Sequence, residues 1–77
     1  MTVSKHAIER LRERFSFTKD WSEEVAVYRI VDAFKQASME DCKSDGSVVW
    51  IGLMQRSVVS TIWVRMVVRE GTIVSVY

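Results

Sequence analysis

The chain has 77 residues, one cysteine, no proline, three glycines and a formal net charge of +1. At this length one domain spanning 1–77 is expected, with a small core and marginal stability. A composition of 48% hydrophobic and 27% charged residues argues against a disordered chain; the lone Cys42 excludes an internal disulfide framework, and the near-neutral total gives no support for a strongly basic nucleic-acid binder.

The first helix is predicted from about Ser4 to about Phe15, with Ser4 as its cap. Ala7, Ile8, Leu11 and Phe15 recur at helical spacing and form a narrow apolar stripe. The rest of that helix is charged. Like-charge pairs Glu9–Glu13 and Arg10–Arg14 are only partly offset by Glu9–Arg12 and Arg10–Glu13. After a short connection, Asp20-Trp21-Ser22-Glu23 reads as an imperfect capping box, with Asp20 in the cap position. Glu23 and Glu24 suit the positive end of a second helix running to about Ala37. Its buried stripe is expected to be Val27, Ile30, Val31 and Phe34.

Ser38 to Ser47 is polar and reads as a loop, with a turn at Asp45-Gly46. From Ser47 onward Val, Ile, Trp and Thr dominate, which favours strands. Strands are predicted at Val48–Leu53, Val58–Arg69 and Thr72–Tyr77, with a loose turn at Met54–Ser57 and a tight hairpin turn at Glu70-Gly71. The fold class that follows is α+β: two N-terminal helices packed on a three-stranded antiparallel β-meander. The tight turn sets a register in which Arg69 opposes Thr72, Val68 opposes Ile73, Met66 opposes Ser75 and Val64 opposes Tyr77. Alternation then gives one face with Ile62, Val64, Met66, Val68, Ile73, Ser75 and Tyr77, expected to meet the helices. The other face carries Thr61, Trp63, Arg65, Val67, Arg69, Thr72, Val74 and Val76 and is expected to be half open.

Two groups of residues could carry chemistry. His6, Arg10 and Arg14 are spaced by four and lie on one line of the first helix. An imidazole beside two guanidinium groups suits a phosphodiester, because Arg grips phosphate with two donors and His transfers protons near neutral pH. The commoner meaning of such a row is a solvated charged face. Trp63, Arg65 and Arg69 share a strand face and could form a stacking and phosphate-binding platform. Trp, Tyr and Arg are equally the residues of protein–protein hot spots, so a protein-binding surface competes with it. Tyr77 offers a hydroxyl to a site or closes the edge of the core. No metal motif, phosphate loop or nucleophile elbow is present, so neither a metal nor a cofactor is expected. No apolar leader region and no run of about 18 apolar residues is visible, so a cytoplasmic location without a membrane association is expected.

The run Ser4-Lys5-His6-Ala7-Ile8-Glu9-Arg10-Leu11-Arg12-Glu13-Arg14, together with the closing Ile73-Val74-Ser75-Val76-Tyr77, resembles RelE- and BrnT-type toxins of the barnase/EndoU/colicin/RelE group. The resemblance covers both ends of the chain and not its middle. It implies N-terminal helices on an antiparallel sheet and metal-independent cleavage of RNA. His6 would be the general base or acid, Arg10 and Arg14 would hold the scissile phosphate, and Arg65, Arg69 and Tyr77 would complete the pocket from the sheet. A protein partner, an antitoxin or a host target, is a further expectation. The alternative is a non-catalytic protein-binding module, such as a phage-encoded inhibitor, that depends on Trp63 or Trp50 and not on His6. An exposed edge strand also offers a route to a homodimer.

Overall fold

A computed structural model describes all residues from Met1 to Tyr77. The elements in chain order are β1 (Thr2–Val3), α1 (Lys5–Arg14), a 3₁₀ segment (Ser16–Asp20), α2 (Glu23–Lys35), β2 (Ser38–Cys42), β3 (Val48–Ser57), β4 (Ser60–Arg69) and β5 (Thr72–Val76). The strands form one sheet in the order β1-β5-β4-β3-β2. β2 to β5 pair antiparallel in sequence, and β1 joins β5 in parallel.

The α+β class and the two helices hold, but the three-stranded meander does not: the sheet has five strands and is mixed. Both missed strands lie at edges. Thr2–Val3 is too short to show any periodicity. Ser38–Cys42 was read as a loop because SMEDC is polar, and every residue in it is exposed. An edge strand solvated on both faces is made by backbone pairing alone, here Ser38–Ile51 to Cys42–Val48.

The α1 stripe is buried as expected at Ala7, Ile8 and Leu11, with Phe15 half buried against the core. Ser4 caps the helix, its Oγ accepting from the Ala7 amide at 3.1 Å. α2 is capped by Ser22, whose Oγ accepts from Val25 at 3.2 Å, and not by Asp20. The reason is the intervening 3₁₀ segment: buried Thr18 donates to the Phe15 carbonyl at 2.7 Å, and Arg12 donates to the Thr18 and Lys19 carbonyls, so Asp20 is used up inside that turn. The buried line of α2 is also rotated from the expected one. Ala26, Ile30 and Ala33 face the sheet, while Val27, Val31 and Phe34 are half buried.

Small residues face the sheet because α2 comes very close to β3. A Cβ built on Gly52 would sit 2.7 Å from the Ala33 carbonyl oxygen and 3.1 Å from the Ala37 Cβ. β3 itself runs on through Met54–Ser57, which was expected to be a turn; the actual turn is Val58-Val59. The Glu70-Gly71 turn is as expected, with φ of 50° and 78°, the left-handed pair that a two-residue hairpin needs.

Pairing starts from that turn as predicted, Arg69 with Thr72 and Val68 with Ile73. It then slips: Val67 faces Ser75, Met66 faces Val76, and Arg65 rather than Val64 pairs with Tyr77. The slip is a bulge that accommodates one extra residue in β5. Beyond it the inward residue is Val76, so Ser75 and Tyr77 leave the face assigned to them. On β4 the alternation is as expected, with Val64 and Met66 buried and Ile62 and Val68 packed against the core.

Candidate functional site

His6, Arg10 and Arg14 lie in line along α1, beside the buried stripe. Arg10 Nε donates to His6 Nε2 at 3.3 Å, and its Nη1 pairs with Glu13 at 2.8 Å. Arg14 has no carboxylate within 4.0 Å; its guanidinium carbon lies 5.7 Å from the centre of the Tyr77 ring, a cation–π contact. The helical spacing of four and the end of β5 thus join into one exposed strip that runs His6, Arg10, Arg14, Tyr77.

The second predicted group is on the other side of the sheet. Alternation along β4 puts Val64 and Met66 under the helices and turns Trp63, Arg65 and Arg69 away from them. Both arginines are engaged. Arg65 Nε donates to both oxygens of Glu40 at 3.0 Å, and Arg69 Nη2 donates to Asp45 Oδ2. In register these ion pairs pass from β4 across β3 to β2 and the Asp45-Gly46 turn. All four side chains are largely exposed, so solvent screens each pair and a competing phosphate can displace it. Trp63 is 63% exposed and stands opposite Leu53, itself 40% exposed. Trp50, by contrast, is half buried and packs edge-on against Phe34 at 5.2 Å.

Tyr77 is the link between the two groups. Its backbone exchanges hydrogen bonds with Arg65 at 2.7 and 2.9 Å, while its ring takes Arg14. No deep cleft gathers the set. The two surface depressions are lined by Glu23, Glu24, Val27, Tyr28 and Val31, and by Lys5, Ile8, Glu9, Arg12 and Glu23, so neither reaches His6 or Tyr77.

A further cationic cluster was not foreseen. Arg56 stacks on Phe17 at 5.1 Å, Phe17 meets Trp21 edge-on at 5.6 Å, and Arg29 lies over Trp21 at 5.8 Å while donating to Gln55 at 2.8 Å. These residues come from the 3₁₀ segment, α2 and the end of β3, so no spacing in the sequence connects them. The turn acid Asp45 was missed as well. It accepts from the Ser47 amide at 3.0 Å and the Ser47 hydroxyl at 2.6 Å, and with Arg69 opposite, these bonds hold its carboxyl down at about 2. The turn signal was visible; its second partner, 24 residues away, was not.

Set beside known proteins, the chain matches no family model, and neither a curated protein nor a solved structure shows significant similarity to it.

Proposed function

We propose that this chain is a toxin-like domain that engages RNA along the α1 strip and cleaves it without a metal. The observation that carries the reading is the single line of His6, Arg10, Arg14 and Tyr77, with one imidazole in contact with a guanidinium and a second guanidinium resting on a phenol. The resemblance to RelE- and BrnT-type toxins in the first helix and last strand supports the same reading. In the proposed reaction a ribose 2′-hydroxyl attacks the neighbouring phosphorus. Arg10 leaves His6 Nε2 for the phosphate, that nitrogen takes the hydroxyl proton, the 5′-oxygen departs as its P–O bond breaks to leave a 2′,3′-cyclic phosphate, and water gives the departing oxygen a proton. Arg10 and Arg14 hold the phosphate oxygens as negative charge develops on them.

The test is incubation of the purified protein with RNA in the presence of a chelator. Cleavage is expected to continue, and His6→Ala should lower its rate by about 10²-fold or more, as for loss of a general acid or base. Circular dichroism of that variant should be unchanged because His6 is exposed. RNA left equally intact by both proteins would overturn the reading.

A second reading, a non-catalytic binder of an antitoxin or host protein, is favoured by one observation: Trp63 and Leu53 form an exposed apolar pair on a sheet face whose arginines are already neutralised. A partner lost on Trp63→Ala and retained by His6→Ala would favour it.

A further inference from the structure

α2 carries more apolar surface than the sheet uses. Its close approach to β3 gives the inner line to Ala26, Ile30 and Ala33, and leaves Val27 and Val31 only half buried. Tyr28 beside them is 64% exposed. Glu24, Tyr28, Val31 and Lys35 recur at spacings of four, three and four along the side of this 13-residue helix that faces away from the sheet. That is the repeat of a seam between two helices. On one flank of the seam Val27 and Phe34 are apolar as well.

The seam has the relief and the charge that such a contact needs. Glu24, Val27, Tyr28 and Val31 stand at i, i+3, i+4 and i+7, the four corners of a hole that receives one side chain of a facing helix. With Glu23, these four residues line a depression of about 700 Å³. The two ends of the seam are oppositely charged, Glu24 at the start of the helix and Lys35 at its end, and neither has an opposite charge within 4.0 Å in the chain. A second α2 laid antiparallel brings Glu24 against Lys35 at both ends and opposes the two helix dipoles. Laid parallel, it brings Glu24 onto Glu24 and Lys35 onto Lys35 and aligns the dipoles.

We propose that two copies of this chain dimerise through the outer face of α2, antiparallel about a two-fold axis at the level of the Arg29–Ile30 peptide bond. The face is self-complementary in that register. Tyr28 meets Val31 of the second copy and Glu24 meets Lys35 of the second copy, each contact occurring twice, as a two-fold interface requires. Val31 of each copy fills the hole between Glu24, Val27, Tyr28 and Val31 of the other, and Val27 meets Phe34 of the second copy on the flank. Removing the valines and the tyrosine ring from water supplies the affinity. The end charges are exposed and set direction and register rather than strength. His6 and Tyr77 do not line this depression, so the dimer stands independently of any catalytic activity.

The experiment is sedimentation equilibrium of the 77-residue chain from micromolar to millimolar concentration, with variants on the seam. The native chain is expected to move from 8.9 kDa toward twice that mass. Tyr28→Asp, a change at an exposed position, should remain monomeric with an unchanged circular dichroism spectrum. Glu24→Lys and Lys35→Glu should each weaken dimerisation by about tenfold or more, because each sets like charges together at both ends. An equimolar mixture of those two variants should dimerise again, since every end of the mixed dimer then pairs Lys with Glu. A native chain that stays at 8.9 kDa throughout overturns the proposal. So does a dimer that Tyr28→Asp leaves intact or that Trp63→Ala abolishes in its place, since it then uses another surface. A mixture that associates no better than either variant alone overturns the antiparallel pairing and the proposal with it. Where a charge reversal at a helix end fails to fold, Tyr28→Asp decides.

Discussion

The ionisation of Asp45 is displaced, and its chemistry is local. Its Oδ1 accepts both polar hydrogens of Ser47, and Arg69 approaches from the far side of β3. These contacts, the Ser47 hydroxyl first, lower its pKa from 3.8 to about 2. A carboxyl lowered in the folded state stabilises the fold fully above its unfolded value, and that contribution is lost as pH falls through the folded one. The acid-side loss of stability that belongs to this turn therefore lies between about 3.8 and about 2. Asp45→Asn should remove the pH dependence in that window and leave the behaviour near neutral pH without a titrating carboxyl in the turn. The denaturation midpoint as a function of pH, with the Ser47 amide followed by NMR, checks it; an unchanged acid limb in the variant would refute the assignment. At the same scale, His6, Arg10 and Arg14 were recognisable in the sequence as one line, since spacing by four is a property of the helix. Tyr77 was joined to them only by the resemblance, because no spacing in the sequence relates the end of β5 to the first helix.

The contact between α2 and β3 determines how the helical layer sits on the sheet. Gly52 has no side chain, and Ala33 and Ala37 are small, so helix and strand backbones come within van der Waals distance. A methyl at Gly52 would meet a carbonyl oxygen at 2.7 Å, and a backbone atom cannot swing aside as a side chain can. Gly52→Ala should therefore destabilise the protein by about 1–3 kcal/mol, the range for overpacking a tight core, read from urea denaturation. A neutral result would mean that α2 is free to move outward. This contact also explains the rotation of α2. Hydrophobicity alone selects Val27 and Val31 for the buried line, but closeness selects Ala26 and Ala33. α1 needed no such correction because Leu11 and Ile8 are both its most apolar residues and the ones that fit against β5.

Across the whole molecule, charge is sorted by layer. Arg65 and Arg69 on the outer sheet face are matched by Glu40 and Asp45, while Arg14 on the α1 strip and the Arg29 and Arg56 cluster have no acidic partner within 4.0 Å. An RNA bound along the α1 strip releases few counterions. Its affinity should fall with salt with a shallow log–log slope, about −1 to −2, corresponding to roughly two neutralised phosphates on a single strand. Removing Arg65 and Arg69 should leave that slope unchanged. Titration of a labelled RNA at several salt concentrations gives the slope, and a value several times steeper would show that other cations, the Arg29 and Arg56 cluster first among them, make the contacts. No helix is long and apolar enough to cross a membrane.

By itself the amino-acid order determined what depends on near neighbours. It specified two helices followed by strands, the Ser4 cap and apolar stripe of α1, the Glu70-Gly71 turn and the alternation along β4, because helix period, turn backbone and strand pleat are set within a few residues. Only the tertiary structure decided the five-strand order, the bulge in β5, the contact of Arg14 with the Tyr77 ring, and the ion pairs that occupy Arg65 and Arg69. Each of these needs a partner tens of residues away, and a polar edge strand such as Ser38–Cys42 leaves no periodic trace because it buries no face.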